Sequence, residues 1–226
     1  RIRFSAEYLF GAYDKDIKRL SLDTRLLTET SKKISEEARN DYAHWVRQYD
    51  EKGAGYLRTL MQQAKAFTCT PKLSIVMPTY NANLDWLGQA IKSVQEQLYP
   101  RWELCIADDA STDPEVRPFL EQWVAKDPRI KVTFRDTNGH ISAATNSALA
   151  LASGGWITFL DHDDVLPAHA LLYMVKAIVR HPDARMLYSD EDKIDENGKR
   201  YDPYFKTDWN PDLFYSHNLV THLAFY

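Results

Sequence analysis

From residue 71 onward, short apolar runs alternate with longer stretches in which apolar side chains recur at helical spacing. Such short runs between turn signals are typical of buried strands, whereas spacings of three and four predict helices. The pattern predicts strands at residues 73–77, 102–107, 130–134, 156–160 and 186–188, and helices at residues 84–98, 114–126, 141–152 and 167–180. Asn197-Gly198 adds a two-residue hairpin signal. Regular alternation of strands and helices predicts an α/β domain, a mostly parallel sheet with helices on both faces.

The first 70 residues show helical spacing instead. One apolar stripe includes Tyr42, Trp45 and Tyr49, and a second follows the glycines at positions 53 and 55 and ends at Phe67. Exposed apolar stripes of this size are a liability, so we expect both to be packed against protein. The sequence therefore predicts a helical N-terminal extension at residues 1–70, packed on a domain at residues 71–226.

The charge is unevenly distributed along the chain. The 28 basic and 32 acidic side chains give a net charge of −4. Residues 1–70 carry a net charge of +3, and residues 71–226 carry −7. An acidic main body argues against nucleic acid as a partner, because nucleic-acid binding needs a basic face. The mildly basic front is either a peripheral contact for an anionic membrane or a solvated helix face.

The cysteines, the lengths of the apolar runs and the first residue bear on where the protein resides and whether the chain is whole. The two cysteines, Cys69 and Cys105, form neither a metal-binding spacing nor a disulfide framework, which fits a reducing compartment. No apolar run reaches the roughly 18 residues that a membrane span needs. We therefore expect a cytoplasmic protein that could contact the inner face of the cell membrane. The chain begins with Arg1 rather than Met, and we expect it to be part of a longer protein.

An acidic motif directly follows the fourth predicted strand: Phe159-Leu160-Asp161-His162-Asp163-Asp164. On an extended chain, residues two apart point the same way, so Asp161 and Asp163 would converge just beyond the strand. Two adjacent carboxylates repel each other, and a hard divalent cation relieves that repulsion. The motif predicts a Mg²⁺ or Mn²⁺ site whose remaining ligands come from phosphates and water. The alternative is an acidic loop that caps the next helix.

Polar residues follow the other predicted strands as well. The first strand leads into Pro78-Thr79-Tyr80-Asn81, the second into Asp108-Asp109-Ala110-Ser111, and the third into Asn138-Gly139-His140. In an open parallel sheet, ligands bind beyond the carboxyl ends of the strands. Turns use the same residue types, so each motif alone could be a turn. Together they predict a binding site at one edge of the sheet.

These motifs resemble those of family 2 glycosyltransferases, which have the GT-A fold. The segment Leu73-Ser74-Ile75-Val76-Met77-Pro78-Thr79-Tyr80-Asn81 is similar to that family's opening strand. The runs starting at Asp108 and Asp161 resemble its second-strand motif and its metal-binding DxD motif. Two later stretches, at residues 188–195 and 208–213, resemble the bacterial subgroup that builds O-antigen and related surface polysaccharides.

The resemblance implies a nucleotide-sugar donor, UDP- or dTDP-linked, and specific roles for residues around it. Pro78, Thr79 and Tyr80 would line the nucleotide pocket, with Tyr80 against the base. Asp109 would accept a hydrogen bond from a pyrimidine ring N–H. The acceptor would be a saccharide or a lipid-linked saccharide, and the enzyme a hexosyl- or rhamnosyltransferase.

The resemblance also implies a metal and a phosphate contact. Asp161 would face the ribose or the metal, and Asp163 would be the principal ligand of Mn²⁺ or Mg²⁺. Asn146 matches the Asn of a family Arg-Asn pair, but Thr145 stands where Arg is usual. The missing positive contact would then come from elsewhere, with Lys193 and Arg200 as candidates.

The family inverts configuration, and the resemblance places its catalytic base in an acidic motif beyond Tyr226. The catalytic residue is therefore unknown, with Glu191 and Asp192 as weak candidates. We expect the domain to be C-terminally incomplete and to lack the base. His162, His217 and His222 show no ligand spacing and are interpreted as structural or acceptor-side residues.

Two alternatives remain open at the sequence level. One is a donor-binding module without catalysis of its own, completed by a partner or by further sequence. The other is a haloacid-dehalogenase-like phosphatase, because Asp161-His162-Asp163-Asp164 mimics the first motif of that fold. The phosphatase fold needs its nucleophile early in the chain, yet three predicted strands precede Asp161. Nucleotidyltransferases and dehydrogenases are disfavoured, since no glycine-rich loop follows the first strand.

Overall fold

The computed structural model describes residues 27–33 and 41–226. The described residues form two compact units. One contains the described residues up to Glu51 together with Asp192–Pro203, and the other contains Lys52–Glu191 and Tyr204–Tyr226. The predicted boundary at residue 70, and the packing of the extension through Trp45 and Tyr49, stay predictions.

The elements follow the alternation predicted from the sequence. Helical residues 27–33 and 41–45 and a π-helical turn at Val46–Asp50 come first. The α-helices that follow are α1 (Ala54–Ala64), α2 (Leu84–Gln95), α3 (Val116–Lys126), α4 (His140–Leu149), α5 (Ala170–Arg180) and α6 (Pro211–Ser216). The strands are β1 (Leu73–Thr79), β2 (Trp102–Asp108), β3 (Ile130–Phe134), β4 (Trp156–Phe159), β5 (Leu187–Tyr188), β6 (Glu191–Ile194), β7 (Arg200–Tyr204) and β8 (Ala224–Phe225). No helix within the described ranges is long and apolar enough to cross a membrane.

The main sheet has the strand order β3-β2-β1-β4-β8-β5. β1 is parallel to both β2 and β4, and β2 is parallel to β3. β8 is antiparallel to its neighbours β4 and β5. The prediction of a mostly parallel sheet is confirmed. The carboxyl ends of β1, β2, β3 and β4 therefore lie along one edge, where a ligand site is expected.

Successive residues of β1 face opposite sides of the sheet, as strand geometry requires. Leu73, Ile75 and Met77 belong to the larger core cluster, which also contains side chains from α2, α3 and α5. Val76 packs in a separate cluster with small side chains of α4, Ala144 and Ala148. Both faces are covered by helices, and the alanines allow α4 to approach the sheet closely.

Two predicted helices begin later than the sequence indicated. α3 begins at Val116 rather than at residue 114, because the carboxylate of Asp113 accepts the Glu115 N–H at 2.9 Å and closes a turn first. α5 begins at Ala170 rather than at residue 167. The carbonyl of Pro167 accepts from the Gln97 side chain at 2.8 Å, and that of Ala168 accepts from the Leu98 N–H at 2.8 Å. These contacts with the end of α2 hold residues 167–169 in a turn.

A buried carboxylate stabilises the amino-terminal edge of the sheet. Glu103 on β2 is buried and forms ion pairs with Lys72 at 2.5 Å and Lys131 at 2.8 Å. Its oxygens also accept from the hydroxyl of Ser74 at 2.7 Å and from the backbone N–H of Ser153 at 2.5 Å. This cluster joins β1, β2, β3 and the turn before β4.

In the other unit, an ion pair and a hydrogen bond connect helical residues 41–50 to the β6–β7 hairpin. Arg200 donates to Asp192 at 2.5 Å and forms an ion pair with Asp50, and the Tyr42 hydroxyl donates to Asp192 at 2.5 Å. The predicted hairpin is confirmed, with Gly198 at φ +77°, a conformation that glycine adopts without strain.

Candidate active site

A cavity of about 490 Å³ opens at the carboxyl edge of the sheet. Its volume falls in the range of small-molecule sites. The lining residues are Pro78, Thr79, Tyr80, Asp109, Asn138, His140, Ile141, Ala144, Asp161, His162 and Asp163. Sequence motifs from four separate strand ends therefore meet in one space. Asn146 is exposed on α4 and is not among the lining residues, so its role in nucleotide binding stays a prediction.

The end of β1 forms one wall of the cavity. The Tyr80 ring is exposed there, whereas Thr79 is only 3% exposed. The Thr79 hydroxyl has no hydrogen-bond partner among the described residues. A buried hydroxyl without a partner costs roughly 1–3 kcal/mol. A ligand that donates to it or accepts from it would remove this cost.

Asn81 fixes the turn that follows Tyr80. Its backbone has a positive φ of 47°, which Asn tolerates better than most residues. Its side-chain oxygen accepts from the Thr112 N–H at 2.8 Å, and its own N–H donates to Ser111 at 2.8 Å. These two hydrogen bonds, each between a side chain and a backbone N–H, join the loop after β1 to the loop after β2. They therefore fix the positions of two loops that border the cavity.

Asp109 lines the cavity and is only 2% exposed. One of its oxygens accepts from the Arg135 guanidinium at 2.7 Å, and both accept from the Gly139 N–H at 3.0 Å. Its backbone N–H donates to the Thr79 carbonyl at 2.9 Å. A carboxylate has about four acceptor sites, so the oxygen not bonded to Arg135 can accept a further donor.

Arg135 was not predicted from the sequence, although it directly follows β3 as the other site residues follow their strands. Its guanidinium also donates to Ser147 at 2.6 Å and to the Ala143 carbonyl at 3.2 Å. Gly139 leaves room for it, because a Cβ there would lie 2.7 Å from an Arg135 nitrogen and 2.8 Å from the Ala143 Cβ. Arg135 thus ties the Asp109 carboxylate to α4.

The acidic motif forms a turn rather than an extended segment, since the Asp164 N–H donates to the Asp161 carbonyl at 3.2 Å. The alternation of side chains on an extended chain therefore does not apply. Potential ligand atoms of Asp161, Asp164 and His222 lie within 4.8 Å of one another. Asp163 lines the cavity but is outside this group. Its role as the principal metal ligand stays a prediction.

His222 is surrounded by three carboxylates, which we call the acidic cluster: Asp161, Asp164 and Glu191. The imidazole Nε2 lies 3.5 Å from oxygens of Asp161 and Asp164, and Nδ1 lies 3.0 Å from Glu191. No pattern in the sequence indicated these contacts, because His222 is distant from Asp161 in the chain and is positioned by β8, a two-residue strand without a periodic pattern.

The acidic cluster shifts the ionisation of its members. The Asp161 carboxylate, followed by Asp164 and Glu191, raises the pKa of His222 to about 9 against the opposing effect of burial. The same contact with His222 holds the pKa of Asp161 below its usual value. Burial raises the pKa of Asp164, with the neighbouring carboxylates adding to the effect. His222 is therefore a cation at neutral pH in this arrangement.

The weak candidates for the catalytic base are both engaged by cations. Glu191 contacts His222 at 3.0 Å and Lys206 at 3.8 Å. Asp192 is bonded by Arg200 and Tyr42. The two cations proposed from the sequence for the phosphates are also paired, Lys193 with Asp202 and Arg200 with Asp50 and Asp192.

Comparison with known proteins agrees with the motifs. Residues 74–226 match the family described as glycosyl transferase family 2. The chain belongs to glycosyl transferase family 2. The match covers the sheet and the whole cavity, and it excludes the phosphatase alternative.

This family 2 chain is similar to several known proteins. It is 51% identical over 154 residues to the uncharacterized protein y4gI of Sinorhizobium fredii, covering 68% of this chain and 17% of that protein. It is 36% identical over 165 residues to the O-antigen biosynthesis protein RfbC of Myxococcus xanthus, covering 73% of this chain and 13% of that protein. The chain thus spans less than a fifth of the length of either relative.

A solved structure supports the GT-A fold directly. Staphylococcus aureus TarS 1–349 in complex with UDP-GlcNAc superposes with a TM-score of 0.56 and 25% identity. The alignment covers 69% of this family 2 chain and 45% of that one. The predicted fold class is confirmed.

Proposed function

We propose that this chain contains the donor half of a metal-dependent, inverting glycosyltransferase that uses a UDP- or dTDP-linked sugar to extend a bacterial surface polysaccharide. The observation that carries the proposal is the single cavity in which Tyr80, Asp109 and the Asp161–Asp164 motif meet. The Tyr80 ring suits stacking against a nucleotide base. The buried Asp109 carboxylate suits a hydrogen bond from that base's ring N–H, and the clustered carboxylates suit a metal-bound diphosphate.

Recognition of the nucleotide rests on Asp109. Its Arg135-bonded oxygen is fixed, and its other oxygen has acceptor capacity left for a ring N–H. Uracil and thymine both offer such an N–H, so UDP and dTDP suit the site equally. The exposed Tyr80 ring at the cavity wall would stack on the base.

The residues present fit a divalent cation. Asp161 and Asp163 line the cavity, and beside Asp161 lie Asp164, a further carboxylate, and His222, whose imidazole could bind a metal only after the metal displaces its proton. Carboxylate oxygens suit both Mg²⁺ and Mn²⁺, but a nitrogen ligand disfavours Mg²⁺, which prefers oxygen. We therefore expect Mn²⁺ to support the stronger binding. Bound there, the metal would offset negative charge that develops on the departing diphosphate.

The inverting step needs a base for the acceptor hydroxyl. Glu191 and Asp192 are both held in ion pairs, so either would have to leave a cation before it could accept the proton of an acceptor hydroxyl. This favours a base outside the described residues, as the family resemblance implies. On its own, the chain would then act as a donor-binding module, and the hexosyl- or rhamnosyltransferase activity would belong to the longer protein.

The polysaccharide assignment is supported by the relatives. RfbC is described as an O-antigen biosynthesis protein. WfgD of Escherichia coli, 34% identical over 125 residues, is described as a glucosyltransferase that acts on a GlcNAc-diphosphoundecaprenol. A saccharide carried on a lipid diphosphate is therefore the acceptor class that we propose.

The test is calorimetric titration of UDP, dTDP, GDP and ADP with and without MnCl₂. We expect UDP and dTDP to bind at least roughly tenfold more tightly than the purine nucleotides, since a charged hydrogen bond contributes about 1.5–3 kcal/mol. Asp163→Asn should remove most of the Mn²⁺ dependence. Asp183→Asn is the matched control, because Asp183 is exposed and does not line the cavity. A UDP affinity that is the same with and without Mn²⁺, and the same in the parent and Asp163→Asn, would overturn the proposed metal dependence.

A further inference from the structure

Three aromatic side chains form an exposed group after β7. The rings of Trp209 and Phe214 lie 5.0 Å apart, and those of Phe214 and Tyr215 lie 6.4 Å apart. Trp209 is 51% exposed and Tyr215 is 87% exposed. We call this group the aromatic platform. It is not used by the donor cavity, whose lining includes none of the three.

The segment that carries the aromatic platform is anchored beside the acidic cluster. The Lys206 N–H donates to Asp190 at 2.8 Å, and the Lys206 ammonium donates to the His222 carbonyl at 2.8 Å and lies 3.8 Å from Glu191. The Tyr188 hydroxyl donates to the Thr207 carbonyl at 2.9 Å. The same lysine thus contacts both His222 and Glu191 of the acidic cluster, so the segment that carries the platform begins next to that cluster.

The side chains of the aromatic platform and its neighbours indicate which kind of molecule can bind there. The large exposed apolar side chains of residues 207–217 are all aromatic. They are interleaved with exposed carboxylates, Asp208 and Asp212, whereas the Lys206 side chain is buried. An anionic membrane surface would be repelled by this charge. Aromatic faces are electron-rich and attract the polarised C–H groups of a sugar ring, and carboxylates accept hydrogen bonds from its hydroxyls.

We infer that the aromatic platform binds the saccharide portion of the acceptor. The inference rests on the proposed function, since it names the second substrate's binding surface for the same site. The platform orients the acceptor through Trp209 and Tyr215, and the acceptor hydroxyl approaches the donor past the acidic cluster. The three aromatic residues would thus act on acceptor binding and leave donor binding unchanged.

The experiment applies the fluorescently labelled chain to an array of bacterial O-antigen and capsular oligosaccharides. Tyr215→Ala and Trp209→Ala should each reduce the bound signal by roughly fivefold, since an aromatic contact contributes on the order of 1 kcal/mol. Tyr215→Ala is the safer variant, because its ring is almost fully exposed. Trp86→Ala is the matched control, with 50% exposure on α2 and no place in the cavity lining.

Calorimetric titration with UDP and Mn²⁺, and sedimentation with phosphatidylglycerol–phosphatidylcholine vesicles, accompany the array. Unchanged UDP affinity with lost glycan binding supports the inference. Glycan binding that is absent in the parent chain, or equal in parent and variants, overturns it even when UDP binds. Vesicle binding that depends on Trp209 and Tyr215 overturns it in favour of a membrane contact. Failure of the parent chain to bind UDP would instead overturn the proposed function.

Discussion

At the scale of single residues, Arg135 is the contact that gives Asp109 its orientation. Replacing it with Ala removes a charge-assisted bond to Asp109 and leaves that buried carboxylate with the Gly139 N–H alone. We expect UDP affinity to fall by roughly 1.5–3 kcal/mol, or about ten- to a hundredfold, by calorimetry. Arg129→Ala is the control, since Arg129 is likewise ion-paired, with Asp127, but is not a lining residue of the cavity. Equal affinities in the parent and Arg135→Ala would contradict the positioning role.

A pair of adjacent glycines offers a second test at this scale. A Cβ on Gly154 would lie 2.6 Å from the Lys72 carbonyl and 2.7 Å from the Ser74 hydroxyl, whereas a Cβ on Gly155 would meet nothing within 4 Å. Gly154→Ala should lower the free energy of unfolding by about 1–3 kcal/mol through overpacking. Gly155→Ala should be neutral, or raise it by about 0.4–1 kcal/mol by restricting the unfolded chain. Urea denaturation measures both, and similar midpoints for the two variants would refute the prediction.

At the residue scale, the sequence predicted the positions, though not the roles, of side chains next to strand ends. Tyr80 and Asp109 line the cavity because β1 and β2 are parallel neighbours that end at the same level. The geometry around Asp161 differs from the prediction because the motif turns, which brings Asp164 rather than Asp163 beside His222. No local pattern indicates such a contact between distant parts of the chain.

At the scale of elements, the Glu103 cluster joins three strands and the turn before β4. Burial alone would raise the pKa of Glu103, but the ammonium groups of Lys131 and Lys72 and the hydrogen bonds from Ser74 and Ser153 outweigh it and hold the pKa well below its usual range. A carboxylate whose pKa is lowered by folding stabilises the protein above its unfolded pKa of about 4.3, and this contribution is lost as the pH falls.

The predicted consequence is a pH-dependent difference between the parent chain and Glu103→Gln. At pH 7 we expect the variant to lose roughly 1.5–3 kcal/mol of unfolding free energy. This gap should shrink as the pH drops below about 4.3. Urea titrations at a series of pH values measure it. Glu121→Gln is the control, because Glu121 is exposed and pairs with Arg117 only at 4.0 Å. A gap that stays constant down to pH 3 would contradict the assigned cause.

Element types were predictable where a periodic pattern was long. β1 to β4 and the helices between them follow the alternation closely. The predicted starts of α3 and α5 were wrong because hydrogen bonds that involve Asp113, Gln97 and Leu98 hold the preceding residues in turns. β8 was not predicted, since a two-residue strand has no period of its own and forms only by pairing with β4 and β5.

At the scale of the whole molecule, the packing of the helical extension is a prediction that amide exchange tests. Leu60 on α1 is buried in the main core, Phe67 after α1 packs against that core, and the Tyr56 hydroxyl lies 2.5 Å from that of Tyr173 on α5. We expect slow amide exchange in residues 54–64 and, if the whole extension is packed, in the described residues 41–50 as well. Rapid exchange throughout both ranges would contradict the predicted packing.

The last prediction concerns activity of the chain as a whole. The donor cavity is assembled from strand ends between Pro78 and Asp163, with Asp164 and His222 beside Asp161, so we expect donor binding to need no residue outside this chain. Proton removal from the acceptor is a separate requirement, and its loss typically costs ~10²–10⁴-fold in rate. Glu191 is held by His222 and Lys206, and Asp192 by Arg200 and Tyr42, so neither is a free base. We therefore expect this chain to bind donor but to transfer sugar at least roughly a hundredfold more slowly than a C-terminally extended protein.

The assay uses labelled UDP-sugar and a lipid-linked saccharide, with equal UDP affinity as the control that both proteins are folded. Equal turnover would place the base within residues 1–226, and Glu191→Gln and Asp192→Asn would then identify it.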